Sequence, residues 1–269
     1  MGRIDGVFRR VAAERRSALI TFVTAGDPDL QLTERLLPQM ASAGADIIEL
    51  GMPFSDPMAD GPTIQLASER ALAAGTTLEG ILAVVSRVRH GGCQTPIVLM
   101  GYYNPVHAYG IERFTLDAAE AGVDALLIVD LPPEEAHVLR RNCRTHGLEL
   151  IFLVAPTTGE ERLARVLPSA GGFIYYVSVT GVTGAASLDM EEVRRGVSSI
   201  KARTDLPVVV GFGISRPDQA ALFAAVADGV VVGSAIVRLF EAYSGDELLR
   251  RVTAFVQELR AALDASANS

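Results

Sequence analysis

Glu49 and Asp60 are the side chains with the clearest chemical potential. Glu49 interrupts an apolar run, Ile47-Ile48-Glu49-Leu50. Strand interiors disfavour glutamate, and burying a carboxylate is costly unless something pairs or uses it. The chain then breaks at Gly51 and Pro53 into a loop carrying Asp56 and Asp60, which ends at Gly61-Pro62. Pro62 suits the first turn of a helix. One carboxyl therefore sits at a strand end and a second on the loop beyond it, an arrangement suited to general acid–base work. Asp56 and Asp60 could also serve as solvated loop residues or caps.

A second group of small residues could hold an anion. Gly211 and Gly213 follow one apolar run, and Gly233 and Ser234 follow another, ahead of a helical stretch. Glycines let backbone N–H groups approach a phosphate closely, and a helix start adds favourable dipole. The alternative is that both are only tight turns. Gly181-Val182-Thr183-Gly184-Ala185 lies in the longest strand-to-helix connection and has the composition of a lid or of a plain surface loop. Phe22, Met100, Leu127, Val129, Leu153, Tyr175 and Phe212 lie at or near strand ends. They would line an apolar, partly aromatic pocket or simply fill a core.

Much other chemistry finds no support. The one lysine, Lys201, precedes an apolar run at the wrong end for a Schiff base. The four histidines and two cysteines (Cys93, Cys143) show no metal-ligand spacing, and no GxGxxG opens a helix after a strand. A formal net charge of −8 and a pI near 5.1 argue against nucleic acid or an anionic membrane as the main partner. The N-terminus is charged without an apolar core, and no apolar run reaches membrane-span length, so a soluble, cytoplasmic protein is expected.

These residues need a scaffold, and the hydropathy pattern predicts one. Short apolar runs are expected as strands at about 18–23, 46–50, 96–100, 125–129, 148–154, 173–177, 207–210 and 229–232, with helical stretches between them. Eight such units, 49% hydrophobic residues and a mean hydropathy of +0.29 predict an α/β fold: a single-domain (β/α)8 TIM barrel spanning 1–269. Residues 1–16 form an extra N-terminal helix with Ile4, Val7, Phe8 and Val11 on its apolar face. An extended C-terminal helix follows Gly245, and 264–269 are expected to be a frayed tail. In such a barrel the C-terminal ends of the strands carry the active site.

The stretches IELGMPFSDPMADGPTIQ, MGYYNPV, LIVDLPPEE, YYVSVTGVTGA, GFGIS and GSAIV resemble the tryptophan synthase alpha subunit family in order and over nearly the whole chain. The resemblance implies a lyase of tryptophan biosynthesis that splits indole-3-glycerol phosphate into indole and D-glyceraldehyde 3-phosphate. It places the catalytic acids on Glu49 and Asp60, and the indole pocket on Phe22, Met100, Leu127, Tyr175 and Phe212. Thr183 and Gly184 match the lid, and Gly184, Gly213, Gly233 and Ser234 the phosphate cradle. The implied partner is a beta subunit, in an α2β2 heterotetramer, reached through Pro53, Asp56, Asn104 and Pro132. Pyridoxal phosphate is expected only in that partner; this chain is expected to carry no cofactor and no metal. Two other readings fit the same residues: a stand-alone lyase releasing free indole, and a non-catalytic activating subunit. Thr21 and Ala186 stand where the family commonly has a proline and a charged residue.

Overall fold

The computed structural model describes residues 2–177, 190–211 and 213–267. Eight parallel strands close into a barrel in sequence order. They are β1 (Ala18–Thr24), β2 (Ile47–Gly51), β3 (Ile97–Gly101), β4 (Ala125–Ile128), β5 (Glu149–Val154), β6 (Ile174–Val177), β7 (Val208–Gly211) and β8 (Gly229–Val232). The expected barrel is therefore the observed one. Helices matter here where they position the site: α1 (Arg3–Ala13), α2 (Leu30–Ser42), α3 (Pro62–Ala73), α4 (Leu78–His90) and α5 (Tyr103–Tyr109).

Strand alternation separates two cores. Leu19, Ile48, Leu50, Leu99 and Leu126 point outward and pack beneath the helices in one large cluster. Ile20, Ile47, Val98, Leu127, Ile151, Tyr175, Val209 and Val231 point inward and fill the barrel. Helix α1 closes the bottom, driving Ile4, Val7, Phe8 and Val11 into that inner cluster. Phe8 meets Phe173 with ring centroids 5.8 Å apart. The inner residues fill the barrel as packed side-chain layers, so space for a ligand exists only above the top layer.

Three turns that look like plain helix-to-strand connections prove to be fasteners. Asp46, Asp124 and Asp228 immediately precede β2, β4 and β8. Each carboxylate accepts an N–H from the strand before it: Leu19 at 3.0 Å, Ile97 at 2.8 Å and Val208 at 2.8 Å. Each also meets cations. Arg10, Arg16 and Arg260 converge on Asp46, Arg3 and Arg89 on Asp124, and Lys201 on Asp228. Burial raises the Asp46 carboxyl, but the Arg16 and Arg10 hydrogen bonds and the Leu19 N–H outweigh it and hold it below the usual range.

The C-terminal end differs from expectation. The C-terminal helix runs Gly245–Ala267, past the expected frayed boundary. Leu263 is buried, Arg260 pairs with Asp264 at 2.7 Å, and the Ser266 hydroxyl donates to the Leu263 carbonyl at 2.8 Å. Alanine-rich sequence with one anchored face continues a helix readily.

Candidate active site

Glu49 faces the barrel interior. It pairs in register with Phe22 on one side and Val98 on the other, and Val98 belongs to the inner core. The side chain is fully buried, at 0% exposure. Among the described residues, neither carboxyl oxygen meets a hydrogen-bond partner. Burial alone pushes this carboxyl up to about 8. The group is thus a neutral acid near pH 7, held ready to give up a proton. Nearby, Tyr175 has its phenol raised well above its ordinary value by burial and then by the Glu49 charge, which places the two within electrostatic reach.

Two residues above Glu49, Gly51 opens the next layer with Thr24 and Met100 as register partners. Here a cleft forms between Phe22, Thr24, Gly51, Asp60, Ile64, Ser68, Met100, Tyr102 and Val129. It leaves about 10 Å³ for a water-sized sphere, space for one water molecule. Glu49 lies under this floor, whereas Asp60 lines the wall. The two acids therefore occupy successive levels of one barrel mouth. An aromatic ring reaches both only if the side chains between them shift.

Asp60 is placed by its loop. Gly61 caps α3 and Pro62 occupies its first turn, as the Gly-Pro pair predicts. The Asp60 carbonyl accepts the Gln65 side-chain amide at 2.8 Å, and its N–H donates to the Pro57 carbonyl at 3.0 Å. Helix α3 is itself tied to the first loop, because Arg70 holds Asp27 through bonds of 2.8 and 2.7 Å. Burial lifts the Asp60 carboxyl above the ordinary range, and a hydrogen bond from Tyr102 pulls it part of the way back.

The other predicted pocket residues divide. Phe22, Met100 and the intervening Gly51 line the cleft, and Phe22 also packs with Ala67 and Val237. Leu127, the register partner of Met100, and Tyr175 belong to the inner core and do not line the cleft. Phe212 and the expected lid residues Thr183 and Gly184 lie outside the described residues. Gly213, at φ +74°, follows β7, and Gly233 and Ser234 follow the adjacent β8. Ser234 is exposed at the start of a short helix, Ser234–Val237. These three residues thus share the end of the barrel that carries the acids.

The proposed partner contacts are uneven. Asp56 and Asn104 are exposed and Pro132 is half-buried, but Pro53 is buried. The most exposed large apolar side chain in the same loop is Met58, at 81%. Sequence reasoning passed over both Met58 and Tyr102. The Tyr102 signal was present in MGYYNPV, whose tyrosines follow a strand end directly.

Known proteins share this sequence and this fold. A family model described as tryptophan synthase alpha chain matches residues 8–264. The tryptophan synthase alpha chain of Geobacter sulfurreducens is 60% identical over 263 residues, covering 98% of this chain and 99% of the relative. That of Geotalea daltonii is 59% identical over 265 residues, covering 98% and 100%. Among solved structures, the tryptophan synthase subunit alpha of Legionella pneumophila superposes with a TM-score of 0.91 at 42% identity, covering 98% of this chain and 99% of the other. By sequence over nearly its whole length and by fold, the chain belongs to the tryptophan synthase alpha chain family.

Proposed function

We propose that the chain cleaves indole-3-glycerol phosphate to indole and D-glyceraldehyde 3-phosphate, with Glu49 as the proton-transfer residue and Asp60 as the acceptor for the indole N–H. Its role as a lyase and alpha subunit of tryptophan biosynthesis follows from its family. The assignment of the two acids rests on one observation. A fully buried carboxyl, without a partner among the described residues and with its proton retained to about pH 8, lies beneath a cleft whose wall carries a second carboxyl.

The chemistry follows from that placement. Retro-aldol cleavage needs a sink for the electrons of the breaking C–C bond. Glu49 delivers its proton to indole C3, and the ring becomes an indoleninium cation. Asp60 accepts the N–H hydrogen bond and stabilises the positive charge as it develops. Glu49, now a carboxylate, takes the proton from the 3′-hydroxyl. The C–C bond breaks, its electrons return to the ring, and the aldehyde forms. The apolar surroundings that raise Glu49 strengthen both interactions by excluding water.

The phosphate is proposed to sit on backbone N–H groups at Gly184, Gly213, Gly233 and Ser234, and Thr183 and Gly184 to form the lid. Phe22, Met100, Leu127, Tyr175 and Phe212 would hold the indole ring. This chemistry asks for no cofactor or metal within the chain. Residues 1–269 act in this reading as a single domain, cytoplasmic in the cell. Among the described residues no single helix is long and apolar enough to cross a membrane. The exposed rim formed by Asp56, Met58 and Asn104, with Pro132 beside it, is the proposed contact for a pyridoxal-phosphate-bearing beta subunit in an α2β2 assembly. Structures of tryptophan synthase from M. tuberculosis are among the neighbours, at a TM-score of 0.87 and 38% identity for the aminoacrylate-bound form. Steady-state indole release by the isolated chain, and again with a beta chain added, tests the reading. Release by the isolated chain rules out a purely activating subunit, and co-elution with a beta chain rules out a stand-alone lyase.

A further inference from the structure

We infer that Tyr102 is a positioning residue for the cleavage reaction, fixing one oxygen of Asp60 so that the other faces the substrate. The inference rests on the reading of Asp60 given above. Tyr102 immediately follows β3 and is 3% exposed. Its hydroxyl donates to Asp60 Oδ2 at 2.8 Å. The phenol oxygen itself accepts the Ala59 N–H at 3.0 Å. One phenol therefore clamps two successive residues of the β2–α3 loop to a rigid strand end. The ring is held in turn by Phe54, with centroids 5.3 Å apart. Tyr102 and Asp60 line the same cleft.

The consequence for Asp60 is an asymmetry. Oδ2 is occupied by the phenol, whereas no hydrogen bond from the described residues reaches Oδ1. A carboxylate free to rotate could offer either oxygen to an N–H, in several directions. A carboxylate with one oxygen tied to a buried phenol offers the other in a narrow cone. Orientation of this kind contributes to catalysis when the charge being stabilised exists only in the transition state. The bond also favours the ionised form, which is the form that must accept the indole N–H. The phenol itself stays protonated, since burial and then the Asp60 charge hold it above its ordinary range. It acts as a donor throughout and does not touch the reacting carbon.

Tyr102→Phe keeps the ring on Phe54 and removes only the hydroxyl. The expected result is a fall in kcat of about tenfold or more, with KM changed less than threefold. The acid limb of the kcat/KM profile should move to higher pH, because Asp60 loses the donor that stabilises its charge. A purely structural tyrosine would lower thermal stability without moving that limb. In an Asp60→Asn background, Tyr102→Phe should cost almost nothing further, since both changes remove one function. If Tyr102→Phe keeps wild-type kcat and an unshifted acid limb while Asp60→Asn is impaired, this inference is wrong and the Asp60 reading stands. Wild-type turnover in Asp60→Asn overturns both. A readout that needs no variant is NMR coupling between a slowly exchanging Tyr102 hydroxyl proton and the Asp60 carboxyl carbon in the wild-type chain. Its presence supports the clamp, and its absence overturns it.

Discussion

The ring of Phe22 lies directly over Gly51. A Cβ built on Gly51 would sit 2.6 Å from Phe22 Cζ and 2.9 Å from Cε2, closer than such atoms pack. The glycine is therefore required by its neighbour, and the space it leaves is where the Phe22 ring rests. Gly51→Ala should push Phe22 into a cleft with room for one water. The expected outcome is a fall in kcat/KM of about tenfold or more, carried mainly by KM, in a chain that still folds. Phe22→Leu in the same chain should recover part of the loss. Steady-state kinetics on the two variants check this, and unchanged kinetics in Gly51→Ala would refute the crowding argument.

Burial of Glu49 makes a prediction about stability. The carboxyl titrates near 8 when folded and near its ordinary value of 4.5 when unfolded. Above about pH 4.5 the unfolded chain releases a proton that the folded chain keeps, so Glu49 lowers stability progressively as pH rises toward 8. Below both values the effect vanishes. Glu49→Gln removes the titration, so its stability relative to wild type should grow across pH 5 to 8. Urea unfolding at a series of pH values measures it. A constant difference across that range would show that Glu49 is not held neutral.

The same group fixes one limb of the activity profile. Delivery of a proton to indole C3 needs the protonated form of Glu49. Wild-type kcat/KM should therefore fall as pH rises through about 8. A profile flat to pH 10 would exclude Glu49 as the proton donor in the free enzyme.

At the opposite end of the barrel, Asp46 offers a control. Asp46→Ala leaves the Leu19 N–H and the converging Arg10, Arg16 and Arg260 without their shared acceptor. The expected cost is about 3 kcal/mol of stability, with kcat nearly unchanged. The Asp46 contribution is present above the ordinary carboxylate range and is lost as pH falls below it, because its folded pKa is depressed. Chemical denaturation at pH 7 and pH 4 tests both parts. A large loss of kcat with intact stability would contradict the division between a fastening end and a reacting end.

Comparison of these residues shows what a sequence carries. The eight strands were legible because burial on both faces writes continuous apolar runs, and Glu49 stood out because it broke one. Asp60 was placed by the Gly-Pro pair that starts α3, a local signal. The fasteners Asp46, Asp124 and Asp228 were visible only as similar turns. Their partners lie on neighbouring strands and, for Arg260, at the far end of the chain, so no local pattern announces them. Tyr102 was hidden for the same reason: its meaning is a hydrogen bond to a loop preceding it by a full β–α–β excursion. The C-terminal helix was underestimated because its last turns are anchored by Leu263 burial, which alanine-rich sequence does not reveal.

Glu49 is the central proton-transfer residue, and the most direct measurement of that role is single-turnover cleavage of indole-3-glycerol phosphate by Glu49→Gln. Glutamine keeps the size of the side chain and its neutrality but cannot exchange the proton. The account predicts substrate binding within a few-fold of wild type and a cleavage rate lower by about 10²-fold or more. A wild-type cleavage rate in that variant would contradict it.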